Sequence, residues 1–120
     1  MAIEHTLGTV SLVAGADLSA KQYTFVKTNT SGKVVSSGDG ERGVGVVQDK
    51  PTADKATMIA TSGISKVLCG GNITNGAAVT SDANGRAVAA TTGKQIMGFA
   101  LEAGANNRII SVLLDRSGAF

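Results

Sequence analysis

A pattern of turn glycines and apolar strand residues occurs twice in this chain, 53 positions apart. Residues 24–61 align with 77–114 without a gap. Val26 falls on Val79, Gly32 on Gly85, Val35 on Val88 and Gly45 on Gly98. Looser matches keep the same register: Asn29 with Asp82, Lys33 with Arg86, Val44 with Met97, Val46 with Phe99 and Ile59 with Val112. Identity is low, so the warrant is the order of turns and strands. A chain written this way is expected to fold as one small β domain with two similar halves. Such a plan leaves little room for a buried catalytic site.

The length of 120 residues fits a single domain. Folding at this size buries roughly two-thirds of the unfolded chain's surface, so a self-sufficient core is possible. That core must use small side chains, because the chain holds three Phe, one Tyr and no Trp. A subunit short of large apolar groups gains by burying surface against copies of itself, which makes self-association an expectation.

Short Val- and Ile-rich runs alternate with Gly, Ser, Thr, Asn and Asp, the pattern of an all-β barrel or sandwich. Strands are expected near Ser11–Ala14, Tyr23–Thr28, Lys33–Ser36, Val44–Gln48, Ala56–Thr61 and Ile64–Cys69. The second part adds Ala77–Thr80, Arg86–Ala89, Ile96–Leu101 and Ile109–Leu114. Ser31-Gly32, Asn75-Gly76 and Asn84-Gly85 read as tight turns, where glycine tolerates positive φ. Gly45 and Gly98 read as points of close backbone approach. Single helical turns are expected near Leu18–Lys21 and Ile73–Asn75, with Leu18 and Ile73 as matching plugs. The unbroken apolar run Ile109–Leu114 suggests a strand buried on both faces. Residues 1–10 have no partner in the repeat and read as a flexible N-terminal arm; residues 11–120 read as the single β domain.

No constellation of residues points to catalysis. Gly38-Asp-Gly-Glu-Arg-Gly43 matches the spacing of a dinucleotide loop, but Val44-Gly-Val-Val47 follows it where that motif needs a helix. His5 is the single histidine and Cys69 the single cysteine. Nucleophilic catalysis needs a base beside the nucleophile, and a zinc site of four protein ligands needs more donors than these two. Asp39, Glu41, Asp49 and Asp54 are interleaved with lysines and lack the spacing of a calcium loop. No catalytic, cofactor or metal residue is therefore assigned, and no cofactor is expected.

The formal net charge is +2 with charges interspersed, so the basic face that nucleic acid requires is missing from the sequence. A start of Met1-Ala-Ile-Glu-His-Thr-Leu-Gly8 lacks the pattern of a signal peptide, and no apolar run approaches the ~20 residues that span a bilayer. Neither nucleic acid nor membrane is expected as a partner. One cysteine excludes an intrachain disulfide and fits a reducing compartment.

Three stretches of the second part, Thr80–Ala90, Ile96–Ala103 and Asn107–Leu114, resemble the tail of bacteriophage capsid decoration (cement, or head-stabilising) proteins. Phe25–Val35 followed by Gly43–Val47 is similar to that family's opening. The likeness covers roughly residues 11–115. It implies a small β-rich structural subunit, not an enzyme, made in the host bacterial cytoplasm and located on the capsid surface. It further implies a homotrimer that binds the major capsid protein and stabilises the head. By this resemblance the N-terminal arm is the capsid-contact segment, with Ala2, Ile3, Glu4, His5, Thr6, Leu7 and Val10 as contact candidates. Phe120 ends the chain on an aromatic and is the subunit-interface candidate. Two other readings stay open: a tail or fibre module of a virion, and a small-ligand-binding β-barrel of bacterial origin.

Overall fold

The computed structural model describes residues 5–120, and these form an all-β fold. Nine strands follow in order: β1 His5–Val13, β2 Phe25–Thr28, β3 Val34–Ser36, β4 Gly45–Val47, β5 Ala56–Leu68, β6 Ala78–Ser81, β7 Ala87–Ala89, β8 Gln95–Ala100 and β9 Ile109–Ala119. They make one curled sheet in the order β3-β2-β4-β5-β9-β8-β6-β7, with β1 added on β5. Every strand pairing is antiparallel.

Element positions follow the 53-residue spacing. β2, β3 and β5 start 53 positions before β6, β7 and β9, and β4 corresponds to residues 98–100 inside β8. The hairpin turns share chemistry as well. Asn29 Oδ1 accepts the N–H groups of Ser31 and Lys33. Asp82 Oδ1 accepts those of Asn84 and Arg86. In both, a short polar side chain bonded to the backbone two residues on holds the turn. Parallel bridges join Ala14 to Val34 and Cys69 to Ala87 at the two ends of the path.

β5 is the spine. Along one edge its residues 59–60 pair with β4 and 63–68 with β9, while residues 56–64 pair with β1 along the other edge. Gly63 is flanked on its two sides by Leu114 of β9 and Thr6 of β1, and the change of neighbour from β4 to β9 falls just before it. Ala56–Thr61 and Ile64–Cys69 thus form one continuous strand rather than two, because Ser62-Gly63 accommodates a change of neighbour without a turn. The expected boundary at residue 10 falls inside β1. From His5 onward the chain is paired to β5, covering the edge opposite β4 and β9, which would otherwise present an open row of backbone groups. Only residues 1–4 of the expected arm lie outside the described residues.

Two further expectations change. Leu18–Lys21 and Thr74–Ala77 are β-turns, each closed by one backbone hydrogen bond, and no helix occurs among the described residues. A single closed turn with Gly76 at φ 83° cannot propagate a helix. β9 is not buried on both faces. Ile110, Val112 and Leu114 point inward, while Ile109 and Leu113 face out.

The interior divides into two clusters. The smaller gathers Ala14, Leu18, Val26, Val34, Val47 and Ile59. The larger packs Phe25, Val46 and Ala60 against Val79, Met97, Ala100, Ile110 and Val112. One side of the first part thereby lies on the core of the second. Leu18 and Ile73 are both buried, one in each cluster. Gly45 and Gly98 sit where a Cβ would strike the carbonyl oxygens of Ala60 and Leu113, so their bare backbones let β5 and β9 approach closely.

Candidate interaction surface

The residue types that carry chemistry are dispersed and engaged with ordinary partners. Asp39 pairs with Lys94, Glu41 with Lys27 and Asp54 with Lys33. Asp49 accepts the hydroxyl of Thr57. Lys27 and the Gly38 N–H hold the Glu41 carboxyl below its usual range, and Lys33 does the same for Asp54. Among the described residues, no three of His, Cys, Asp and Glu gather as metal ligands. Cys69 is fully buried, and burial pushes its thiol up, away from the thiolate a nucleophile needs. The Gly38–Gly43 segment is the β3–β4 connection: Glu41 accepts the Gly38 N–H, and the Gly43 N–H points at Met97 Sδ.

What the fold offers a partner is surface. β1 pairs with β5 alone among the described strands, leaving its second edge as a row of backbone donors and acceptors. Val10 on this strand is 41% exposed. Val13 and Met58 add exposed apolar area where β1 meets the start of β5. Of the contact candidates, Ala2, Ile3 and Glu4 lie outside the described residues. His5, Thr6 and Leu7 take part in β1 as backbone, and their side chains are not described. Phe120, 56% exposed, is tied down by its N–H donated to the Lys94 carbonyl at 2.8 Å.

Sequence reasoning missed Arg116. Its guanidinium reaches from β9 to the carbonyls of Val44 and Thr61, at 2.9 Å each, clasping the end of β9 to β5 and to the residue that precedes β4. Nothing in the local sequence signals this, because the contact spans 72 and 55 positions. Glu102 is a second omission. Burial raises its carboxyl, but the Ser111 backbone N–H favours the charged form and the balance is lowered.

Comparison with known proteins places this chain in a family. The chain is similar in structure to the N-terminal base of the head fibre protein gp8.5 of bacteriophage phi29, with a TM-score of 0.75. The likeness covers 94% of this chain and 98% of that one at 14% identity, so it speaks for the fold. None of the curated proteins searched matches the sequence. The family model for phage cement protein matches residues 6–114, spanning every strand from β1 to the inner half of β9. This chain belongs to the phage cement protein family.

Proposed function

We propose that the protein decorates the outer surface of a phage head as a homotrimer bound to the major capsid protein, and that it stabilises the shell. Membership of the cement family carries this reading: the protein is a virion-associated structural subunit of the head. The fold supports it, since the described residues offer edges and exposed apolar side chains rather than gathered reactive groups.

The capsid contact is assigned to the N-terminal segment, with Ala2, Ile3, Glu4, His5, Thr6, Leu7 and Val10 as its residues. An open strand edge can accept or add a strand with little demand on sequence, because main-chain hydrogen bonds supply the affinity. Many copies on one shell then act at high effective concentration. Phe120 is assigned to contacts between subunits.

Purified protein mixed with matched heads lacking it should co-sediment and raise their resistance to heat. Failure of both would sink the decoration reading. Deleting residues 2–4, or replacing Val10→Asp, should lower occupancy on heads while leaving the fold intact. A second reading, the base of a head fibre, is favoured by the likeness to the phi29 protein. Micrographs of decorated heads separate the two: a cement protein gives a regular lattice of short knobs, a fibre base gives projecting filaments.

A further inference from the structure

We infer that the outer face of β6, β8 and β9 is a docking surface for a second copy of this chain, which seats its Asn29–Lys33 turn there in a head-to-tail contact. The inference rests on the proposed self-association and adds which surfaces meet.

The chain displays such a contact within itself. On the first part, Phe25, Val46 and Ala60 lie side by side across β2, β4 and β5 and are fully buried under the second part. Val79, Met97, Ala100, Ile110 and Val112 pack with this row, and the Asp82–Arg86 turn docks beside it on β2. Phe25 donates its N–H to the Gly85 carbonyl at 2.7 Å, and a Cβ on Gly85 would press on the Phe25 carbonyl oxygen. Gly40 is covered too, against the Lys94 side chain.

Each of these positions has a counterpart 53 residues on, and there the cover is incomplete: Ala78 and Phe99 are half-buried and Leu113 is exposed. Ala78, Phe99 and Leu113 form the matching row across β6, β8 and β9. Leu113 is 42% exposed where Ala60 is at 0%. Gly93, the counterpart of Gly40, has nothing within 4 Å of where its Cβ would stand. The turn that would fill this face is also bare. Gly32, the counterpart of Gly85, has φ 76° against 81° and likewise nothing within 4 Å. The molecule thus carries one satisfied contact and both unsatisfied halves of a second like it. The open face continues the intrachain interface around the sheet. A second copy placed by the same relationship brings its Gly32 turn over Ala78 and its Val44 toward Phe99. The two surfaces differ, so the contact is heterologous and builds a ring where the rotation closes.

Sedimentation velocity on the full chain tests this with Leu113→Glu and Ser31→Trp, both at exposed positions, with circular dichroism to check folding. Wild type is expected as a closed oligomer and each variant as a folded monomer. Mixed, the variants are expected to form a 1:1 dimer, because one keeps the turn and the other keeps the face. A monomeric wild type overturns self-association and this inference together. An oligomer unmoved by either substitution overturns the inference and leaves self-association standing. Variants that stay monomeric when mixed overturn the head-to-tail geometry.

Discussion

The backbone N–H of Phe25 donates to the carbonyl of Gly85, 60 positions away, at 2.7 Å. This bond ties the Asp82–Arg86 turn onto the side of β2 and closes the larger core over Phe25. Gly85 is suited to it twice. Its φ of 81° is a conformation L side chains rarely adopt, and its missing Cβ lets the Phe25 oxygen approach.

Gly85→Ala and Gly32→Ala should therefore differ although both remove a left-handed glycine. Each carries the strain of an L residue at positive φ, about 1–2 kcal/mol. A Cβ on Gly85 would lie 2.7 Å from a backbone oxygen, whereas one on Gly32 meets nothing. Relieving that clash by a backbone shift costs about 1–3 kcal/mol more. Urea unfolding at low protein concentration, where copies stay apart, should show G85A clearly the less stable. Equal losses would mean the Phe25–Gly85 junction yields freely.

Ser37 makes the opposite case. Its side chain is fully buried, and its hydroxyl finds no partner among the described residues, although its backbone carbonyl accepts from Ser81. A buried unsatisfied hydroxyl costs about 1–3 kcal/mol. Ser37→Ala removes that cost and leaves a void no larger than one oxygen. The variant should be as stable as wild type or gain about 1 kcal/mol in chemical denaturation. A loss of more than about 1 kcal/mol would show that the hydroxyl has a partner in solution.

Much of this architecture was legible because local chemistry and fold agree. Val26, Val46 and Val79 sit in short runs bounded by turn residues, and Asn29 and Asp82 each fold their own hairpin turn. What stayed hidden depends on distant partners. His5 to Val10 carries no strand signal of its own, and is held because the edge of β5 opposite β4 and β9 is free to pair with it. The apolar run at Ile109–Leu114 cannot report which residues find cover. Ser111 is buried beside Glu102, while Leu113 is left open. The candidate surface was the least legible part, since strand edges and uncovered faces are defined by what does not pack on them.

Arg116 ties β9 to β5 and to the residue that precedes β4 with one side chain. Its two hydrogen bonds, to Val44 and Thr61, hold the outer half of β9 after it has left β5. Hydrogen bonds from a charged donor contribute about 1.5–3 kcal/mol when buried, and less at this exposed site. Arg116→Ala should cost about 1–2 kcal/mol. It should also speed hydrogen exchange at the end of β9 more than in β2 or β3. Both bonds leave one nitrogen, Nη1, so Arg116→Lys, whose ammonium carries three donors on one nitrogen, should recover part of the loss. Uniform exchange across all strands would argue against a local clasp.

Glu41 gives the fold a small acid sensitivity whose sign is set by its partners. Lys27 bonds both carboxylate oxygens, at 2.8 and 3.0 Å, and the Gly38 N–H adds a third bond at 2.6 Å. These interactions lower the folded-state pKa below the ordinary glutamate value of 4.5. A lowered pKa means the stabilisation is fully present above the unfolded-state value and is lost as pH falls through the folded one. Both side chains are substantially exposed, so the effect is modest and weakens with salt. Glu41→Gln keeps an acceptor for Gly38 but removes the charge. Its urea midpoint should lie below wild type at neutral pH. The gap should narrow through the carboxylate range and vanish well below it, where both side chains are neutral. A gap that is constant with pH would assign the loss to packing rather than to the Lys27–Glu41 pair.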